Sequence, residues 1–368
     1  MPILSDSLTA ALQVNIPPRS WVRDAGAIPN QTHAVPKPRS WLISERADFW
    51  LASAGASGGL LAALALIALY GDRELDWLDL VLSELHLGAT YDAIVRRRLW
   101  RRLPTDVLVV PLIILAATYA LVATSQSVLL TSIAMYAAIW HRGRQSLGVA
   151  RFYQRQAAGP ISPLHRRLFA GAIYLPMAAA IFLYGHLAPE KYEGEPYYAV
   201  SAGAQIAWVL GLIALGWVIV YLVWTSRQFQ PLRQPKVGQT QKNQNFHRGE
   251  RWVVLAHAVA FGSAYVLGAS NASFLFVLAV HHEVQYLYFT YAIARWPMRA
   301  GDRENFLENP QSEIRFVASF ALWPLIGLFG AIVAGWYQFQ WLAPLGVGGL
   351  FCHYWLDGRI WTRRSMAG

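Results

Sequence analysis

The chain has 368 residues, of which 55% are hydrophobic and only 14% charged, and its formal net charge is +10. A soluble domain carries about 25% charged residues. The deficit, with apolar runs near the length of a bilayer crossing, excludes an ordinary soluble domain and indicates a polytopic membrane protein. The positive charge is no nucleic-acid footprint, because the basic residues sit between apolar runs and not on one soluble face. A single cysteine, Cys352, excludes an intrachain disulfide and, inside an apolar run, reads as a small core residue.

Residues 1–40 lack the charged start and compact apolar core of a signal peptide. They are rich in proline (Pro17, Pro18, Pro29, Pro36, Pro38). Residues 1–47 are therefore expected to be a cytoplasmic extension with little regular structure, and 48–368 a transmembrane helical domain.

Hydropathy marks ten candidate spans of an all-α bundle, roughly 49–70, 77–95, 105–124, 127–149, 166–187, 202–225, 252–270, 273–295, 314–336 and 341–361. The second is the least apolar, with Asp79, Glu84, His86 and Asp92, and is not expected to face lipid. Basic residues gather at the ends of the even-numbered spans. Arg96 to Arg98 follow the second, Arg151 and Arg155 the fourth, Arg227 and Arg233 the sixth, Arg295, Arg299 and Arg303 the eighth. Arg359, Arg363 and Arg364 end the tenth. The alternate connections, GDRELD at 71–76 and LAPEKYEGEPYY at 187–198, are neutral or acidic. The positive-inside rule then places both termini in the cytoplasm, across a bacterial inner membrane.

Four of these spans carry a histidine with polar neighbours, in ELHLGATYD, WHRGRQSLG, HHEVQY and HYWLDGR. Ionisable groups inside membrane helices are costly, so their default reading is functional. His353 and Asp357 are four residues apart and share a helix face. The carboxylate is either a metal ligand or the group that orients the imidazole, and a purely structural pair is the alternative. His282 shares a face with Gln285 and Tyr286, whereas His281 points about 100° away. One of the two histidines is a ligand, and His282 is chosen. Glu283 is a ligand, an ion-pair partner or an acid/base group. His141 and Gln145 share a face, and Arg144 beside them suits an anionic group of a cofactor or ligand. His86 has Thr90 at i+4. His257 has no polar neighbour on its face and is held in reserve. His165, His186 and His33 read as loop or interface residues, and His247 as solvated.

Depth supports a common site. At about 1.5 Å per residue, His353 lies about 9 Å in from Arg359, His86 about 15 Å in from Arg96, and His282 about 20 Å in from Arg295. His141 sits at the charged end of its span. All four ride on spans directed toward the cytoplasm, and a site near that side follows. Imidazoles with one or two carboxylates suit Fe, Zn, Mn or Cu, and mixed ligation with open positions suits non-haem iron. Haem held by facing histidines is possible, but covalent haem is excluded because CxxCH is absent. Walker A and Rossmann fingerprints are also absent.

The motifs HxxRQxxG (His141–Gly148), HxxQY (His282–Tyr286) and HYxLDGxIW (His353–Trp361) resemble those of a group of bacterial multi-span membrane proteins without an assigned activity. More distantly, the chain is similar to the Brp/Blh-type carotene dioxygenases, multi-span iron proteins with histidines on several helices that cleave a polyene. The histidine spacings differ, and the HxxxH and HxxHH boxes of membrane desaturases are absent.

The expectation is a metal-dependent integral membrane enzyme, a non-haem iron oxygenase with one or two ions that acts on a hydrophobic, lipid-like substrate. His86, His141, His282, His353 and Asp357 are the expected metal residues. Tyr286, Gln285, Gln145 and Glu283 are the expected catalytic group, and Arg144 and His281 the cofactor-binding pair. The alternatives are a transporter of a metal ion or proton-coupled small molecule, and a haem- or pigment-associated subunit of a membrane complex. The sequence sets no oligomeric state.

Overall fold

Apolar runs broken by proline, glycine and charged turns favour helices that bury polar residues inward, and this is what a computed structural model of the protein contains. It describes residues 41–53, 73–96, 98–156, 161–192, 195–200, 202–228, 242–271, 274–294, 322 and 343–360. The chain divides into two units, Met1–Lys37 and Pro38–Gly368, and every described residue lies in the second. Residues 1–40, the connection 229–241, the arginines at 295, 299, 303, 363 and 364, and the side chains of Asp79 and His247 lie outside the described residues.

Ten α-helices are described: α1 (Glu45–Ala47), α2 (Arg73–Arg96), α3 (Leu99–Arg102), α4 (Val110–Ala123), α5 (Ser127–Gln156), α6 (Pro163–Leu187), α7 (Ala204–Gln228), α8 (Lys242–Leu267), α9 (Leu275–Ala294) and α10 (Ala343–Ile360). Two π-helical stretches, Asp48–Ser53 and Thr105–Val109, precede α2 and α4. Lys191–Tyr192 and Glu195–Pro196 pair as a short antiparallel hairpin.

Local sequence sets the helix starts. Ser162 caps α6 by accepting from His165 N at 3.1 Å, and Pro163 occupies the first turn, where a missing N–H costs nothing. Pro111 plays the same part in α4. Gly143 lets α5 and α6 come close, since an added Cβ would lie 2.1 Å from Met177 Sδ.

The helices pack as two groups that share α5. In the first, α2, α9, α5 and α10 close a ring in that order, each touching the next. In the second, α5, α6, α7 and α8 bury the main apolar core, which includes Met135, Ile173, Tyr221, Phe261 and Tyr265. Helix α4 lies against α10.

Three helical stretches among the described residues are long and apolar enough to cross a membrane. They are Thr105–Ala123 at mean hydropathy 2.3, Pro163–Leu187 at 1.8 and Ala204–Arg227 at 2.5. The expected count of ten is not met. Eight of the ten expected spans do fall on helices, while 49–70 is described only to residue 53 and 314–336 only at Leu322. The helices α2, α5, α8, α9 and α10 are not among the three.

Residues 41–53 are built into the helical unit, and the unit boundary falls at Lys37, earlier than the expected 47. Leu42 joins the main core. The buried Asp48 carboxylate accepts from Leu42 N at 2.8 Å, Ile43 N at 3.2 Å, Tyr153 OH at 2.7 Å and Tyr288 OH. Four donors on one carboxylate offset its burial and pin the segment to α5 and α9.

Candidate metal centre

Each helix of the α2–α9–α5–α10 ring presents one histidine inward: His86, His282, His141 and His353. Ring centroids follow the helix order. His86 to His282 is 4.5 Å, His282 to His141 4.8 Å, His141 to His353 4.8 Å, and His353 back to His86 4.5 Å. The diagonal from His86 to His141 is 6.1 Å. One ring nitrogen from each of the four lies within 4.8 Å of all the others, and the residues are between 1% and 6% exposed.

This donor set fits a metal ion. Imidazole–metal bonds of about 2.0–2.1 Å put nitrogens about 3.3 Å apart in a tetrahedron and about 4.2 Å apart across an octahedron. Small side-chain rotations bring a 4.8 Å group to such distances. The His86 and His353 Nε2 atoms are already 2.6 Å apart, a separation that two bare lone pairs do not tolerate, so a proton or a cation belongs between them. His141 Nε2 and His282 Nδ1 are buried without a hydrogen-bond partner among the described residues. Buried polar atoms are nearly always paired, and a shared cation satisfies several at once.

A carboxylate closes one side. Asp357 Oδ2 is 3.6 Å from His353 Nε2 and 3.7 Å from His141 Nε2. The other oxygen, Oδ1, accepts from Tyr286 OH at 2.6 Å and Thr90 Oγ1 at 2.8 Å. Asp357 therefore turns Oδ2 toward the histidines while two hydroxyls hold Oδ1. Tyr354 stacks on His141 at 4.3 Å, and Tyr286 packs on His86 at 4.1 Å. These contacts fix ring orientation.

The other expected site residues sit further out. Gln145 Nε2 donates to His282 O at 2.6 Å and to Gln285 Oε1 at 3.2 Å, and Gln285 Nε2 donates to Ala52 O at 2.8 Å. The two amides thus hold the backbone of α9 and the π-helical segment rather than facing the histidines. Glu283 is buried and accepts from Ser83 Oγ at 2.6 Å across the α2–α9 contact. Arg144 is exposed, lies over Trp140 at 5.7 Å and donates to Tyr174 OH at 3.3 Å, on the outer side of α5. It is not brought to the cluster, because the aromatic pair outside holds its guanidinium. His281 is buried but outside the four-histidine group, and both its ring nitrogens lack a partner among the described residues.

Two histidines differ from their sequence reading. His165, expected in a loop or interface, is buried on α6, 2.8 Å from Glu250, which also accepts from Tyr221 OH and Gln154 Nε2. His257, held in reserve, lies outside the four-histidine group, with Nε2 3.0 Å from Ile173 O and Nδ1 without a partner among the described residues. Thr90, Ser83 and Tyr354 were not marked as site residues. The only sequence signals were the i+4 spacing from His86 to Thr90 and the step of one residue from His353 to Tyr354.

An apolar cleft of about 360 Å³ lies between α2, α10 and the α4 region. Tyr91, Cys352 and Leu356 line it, each adjacent in sequence to Thr90, His353 or Asp357. Cys352 turns its Sγ to Pro111 O at 3.5 Å.

No protein-family model matches the chain, and neither a curated protein nor a solved structure is significantly similar to it.

Proposed function

We propose that the protein is a metal-dependent, multi-pass membrane enzyme, a non-haem iron oxygenase acting on a hydrophobic substrate. His86, His141, His282 and His353 hold the metal, and Asp357 adds one carboxylate oxygen. The observation that carries this reading is the meeting of four buried imidazoles, from four helices, within 4.8 Å. Nitrogen and carboxylate donors without thiolate suit iron among the transition metals. The distant similarity to carotene dioxygenases, in carrying histidines on several helices, supports oxygenase chemistry, and the apolar cleft lined by Tyr91, Cys352 and Leu356, sequence neighbours of Thr90, His353 and Asp357, supports an apolar substrate.

When bound, such a metal supplies Lewis-acid and one-electron chemistry. The chain's own residues hold it in a dry site. The four-helix ring excludes water, Asp357 Oδ2 balances charge, and Tyr286 and Thr90 keep that carboxylate from rotating. Four rings around one point leave no plane for a porphyrin, which counts against haem. A carrier needs access to both faces, and a fully buried centre offers none in this conformation.

The test is in two parts. Detergent-purified protein from iron-supplemented cells is expected to carry one or two transition-metal ions per chain, chiefly iron. The loaded protein, given a panel of polyenes and unsaturated lipids under oxygen-18, is expected to yield labelled product. Metal without labelled product would sink the oxygenase reading, and protein without metal would sink the whole of it.

A further inference from the structure

We propose that one end of the α5–α8 group, with residues 43–51 beside it, is a docking surface for anionic phospholipid. Arg227 and Arg248 take the headgroup phosphate, and the apolar side chains of Ile43, Phe49, Trp50 and Leu51 enter the acyl boundary. The proposal is independent of the metal reading.

One buried carboxylate gathers the four helices at this end. Glu250 Oε1 on α8 accepts from Gln154 Nε2 of α5 at 2.9 Å and Tyr221 OH of α7 at 2.7 Å, and lies 2.8 Å from His165 Nε2 of α6. Close to these anchors in sequence the chain is basic. Arg155, Arg166, Arg167, Arg227 and Arg248 are exposed there. Arg251 Nη1 donates to Ser226 Oγ at 3.0 Å, so the end of α7 that carries Arg227 lies against α8. Among the described residues, the exposed carboxylate here is Glu45, 3.2 Å from Arg248 with both side chains about half exposed. An exposed ion pair of this kind is worth little, and a phosphate displaces it at small cost. Charge is one-sided along these helices. Residues 168–226 contain no arginine, and the connection after α6 carries Glu190 and Glu195 against Lys191.

Charge alone would suit any polyanion, nucleic acid included. The neighbouring segment decides for lipid. Ile43, Phe49, Trp50 and Leu51 are exposed, Trp50 at 63%. Phe49 meets Trp252 edge-on at 4.9 Å and Trp50 at 5.2 Å, and Trp252 stacks on Trp41 at 5.4 Å. Trp252 follows Arg251 directly, so the aromatic shelf adjoins the arginines. Exposed aromatic and aliphatic groups beside arginines are the pattern of an interfacial anchor, with rings at the acyl boundary and guanidinium forks on phosphate. The Asp48 carboxylate ties this segment to α5 and α9, so the surface is formed before lipid arrives.

The test is native mass spectrometry of the full chain in detergent, titrated with dioleoyl-phosphatidylglycerol or dioleoyl-phosphatidylcholine. Wild type is expected to bind the anionic lipid about tenfold more tightly. The Arg227→Gln/Arg248→Gln protein should lose about fivefold in that affinity for each arginine removed, and Trp50→Ser should also bind it more weakly. Glycerol phosphate or an oligonucleotide, added at equal phosphate concentration, should leave the bound lipid in place. Equal affinity of wild type for the two lipids overturns the proposal and needs no variant to fold. Unchanged binding in either variant overturns it, as does displacement of the lipid by either soluble phosphate.

Discussion

The Nε2 atoms of His86 and His353 lie 2.6 Å apart, although 267 residues separate them in the chain. Two imidazoles brought this close in a dry interior are unfavourable on their own, because both lose hydration while at most one hydrogen bond joins them. A bound cation reverses that balance. Chelator treatment is therefore expected to lower the melting temperature of the purified protein by several degrees, as binding at hundredfold excess over Kd contributes about 2.7 kcal/mol. His353→Ala and His282→Ala should melt at the same temperature with or without chelator. Thermal melts in matched detergent check this.

Asp357→Asn replaces the carboxyl group whose Oδ2 faces His141 and His353 while keeping the side chain's size. Metal affinity is expected to fall about 10–100-fold, the usual effect of losing a ligand-orienting or weakly ligating carboxylate. Competition titration against a chromophoric chelator measures it. Affinity within twofold of wild type would remove Asp357 from the centre.

Tyr286→Phe deletes one of two hydroxyls on Asp357 Oδ1 but leaves Thr90 in place. Its cost should be intermediate, roughly 1–3 kcal/mol in stability, with metal still bound. Denaturant or thermal unfolding, paired with metal content, separates this result from that of Asp357→Asn.

Asp48→Ala strips the acceptor from four donors on residues 42, 43, 153 and 288. The loss is expected to be on the order of 3 kcal/mol or more, since several buried donors are left unpaired. Because Gln285 ties Ala52 to α9, limited proteolysis should also cut this variant first near residues 41–53.

Glu250→Ala provides the contrast. It removes the acceptor shared by His165, Tyr221 and Gln154, none of which contributes to the four-histidine group. Stability should drop by a similar amount while the metal bound per folded chain stays unchanged.

The meeting of the four histidines was legible because imidazoles set in four separate apolar runs, each with polar neighbours, have few reasons to occur together. Helical phase also separated His282 from His281. Phase was a poorer guide for Arg144, where contacts to Trp140 and Tyr174 decide the direction of a long side chain. Thr90 gave no signal beyond its spacing, since a threonine in an apolar helix has many uses. Two of the four donors to Asp48, Tyr153 and Tyr288, lie more than 100 positions away, and no local pattern encodes them. Span counting overshot because apolar runs that form helices were read as crossings, and only three helical stretches among the described residues are long and apolar enough.

The most direct measurement is X-ray absorption at the metal edge of the purified protein. It should show a first shell of nitrogen and oxygen at about 2.0–2.2 Å with imidazole scattering from about four histidines, reduced by roughly one imidazole in His141→Ala. A protein holding no transition metal, or a spectrum without imidazole scattering, would contradict the account.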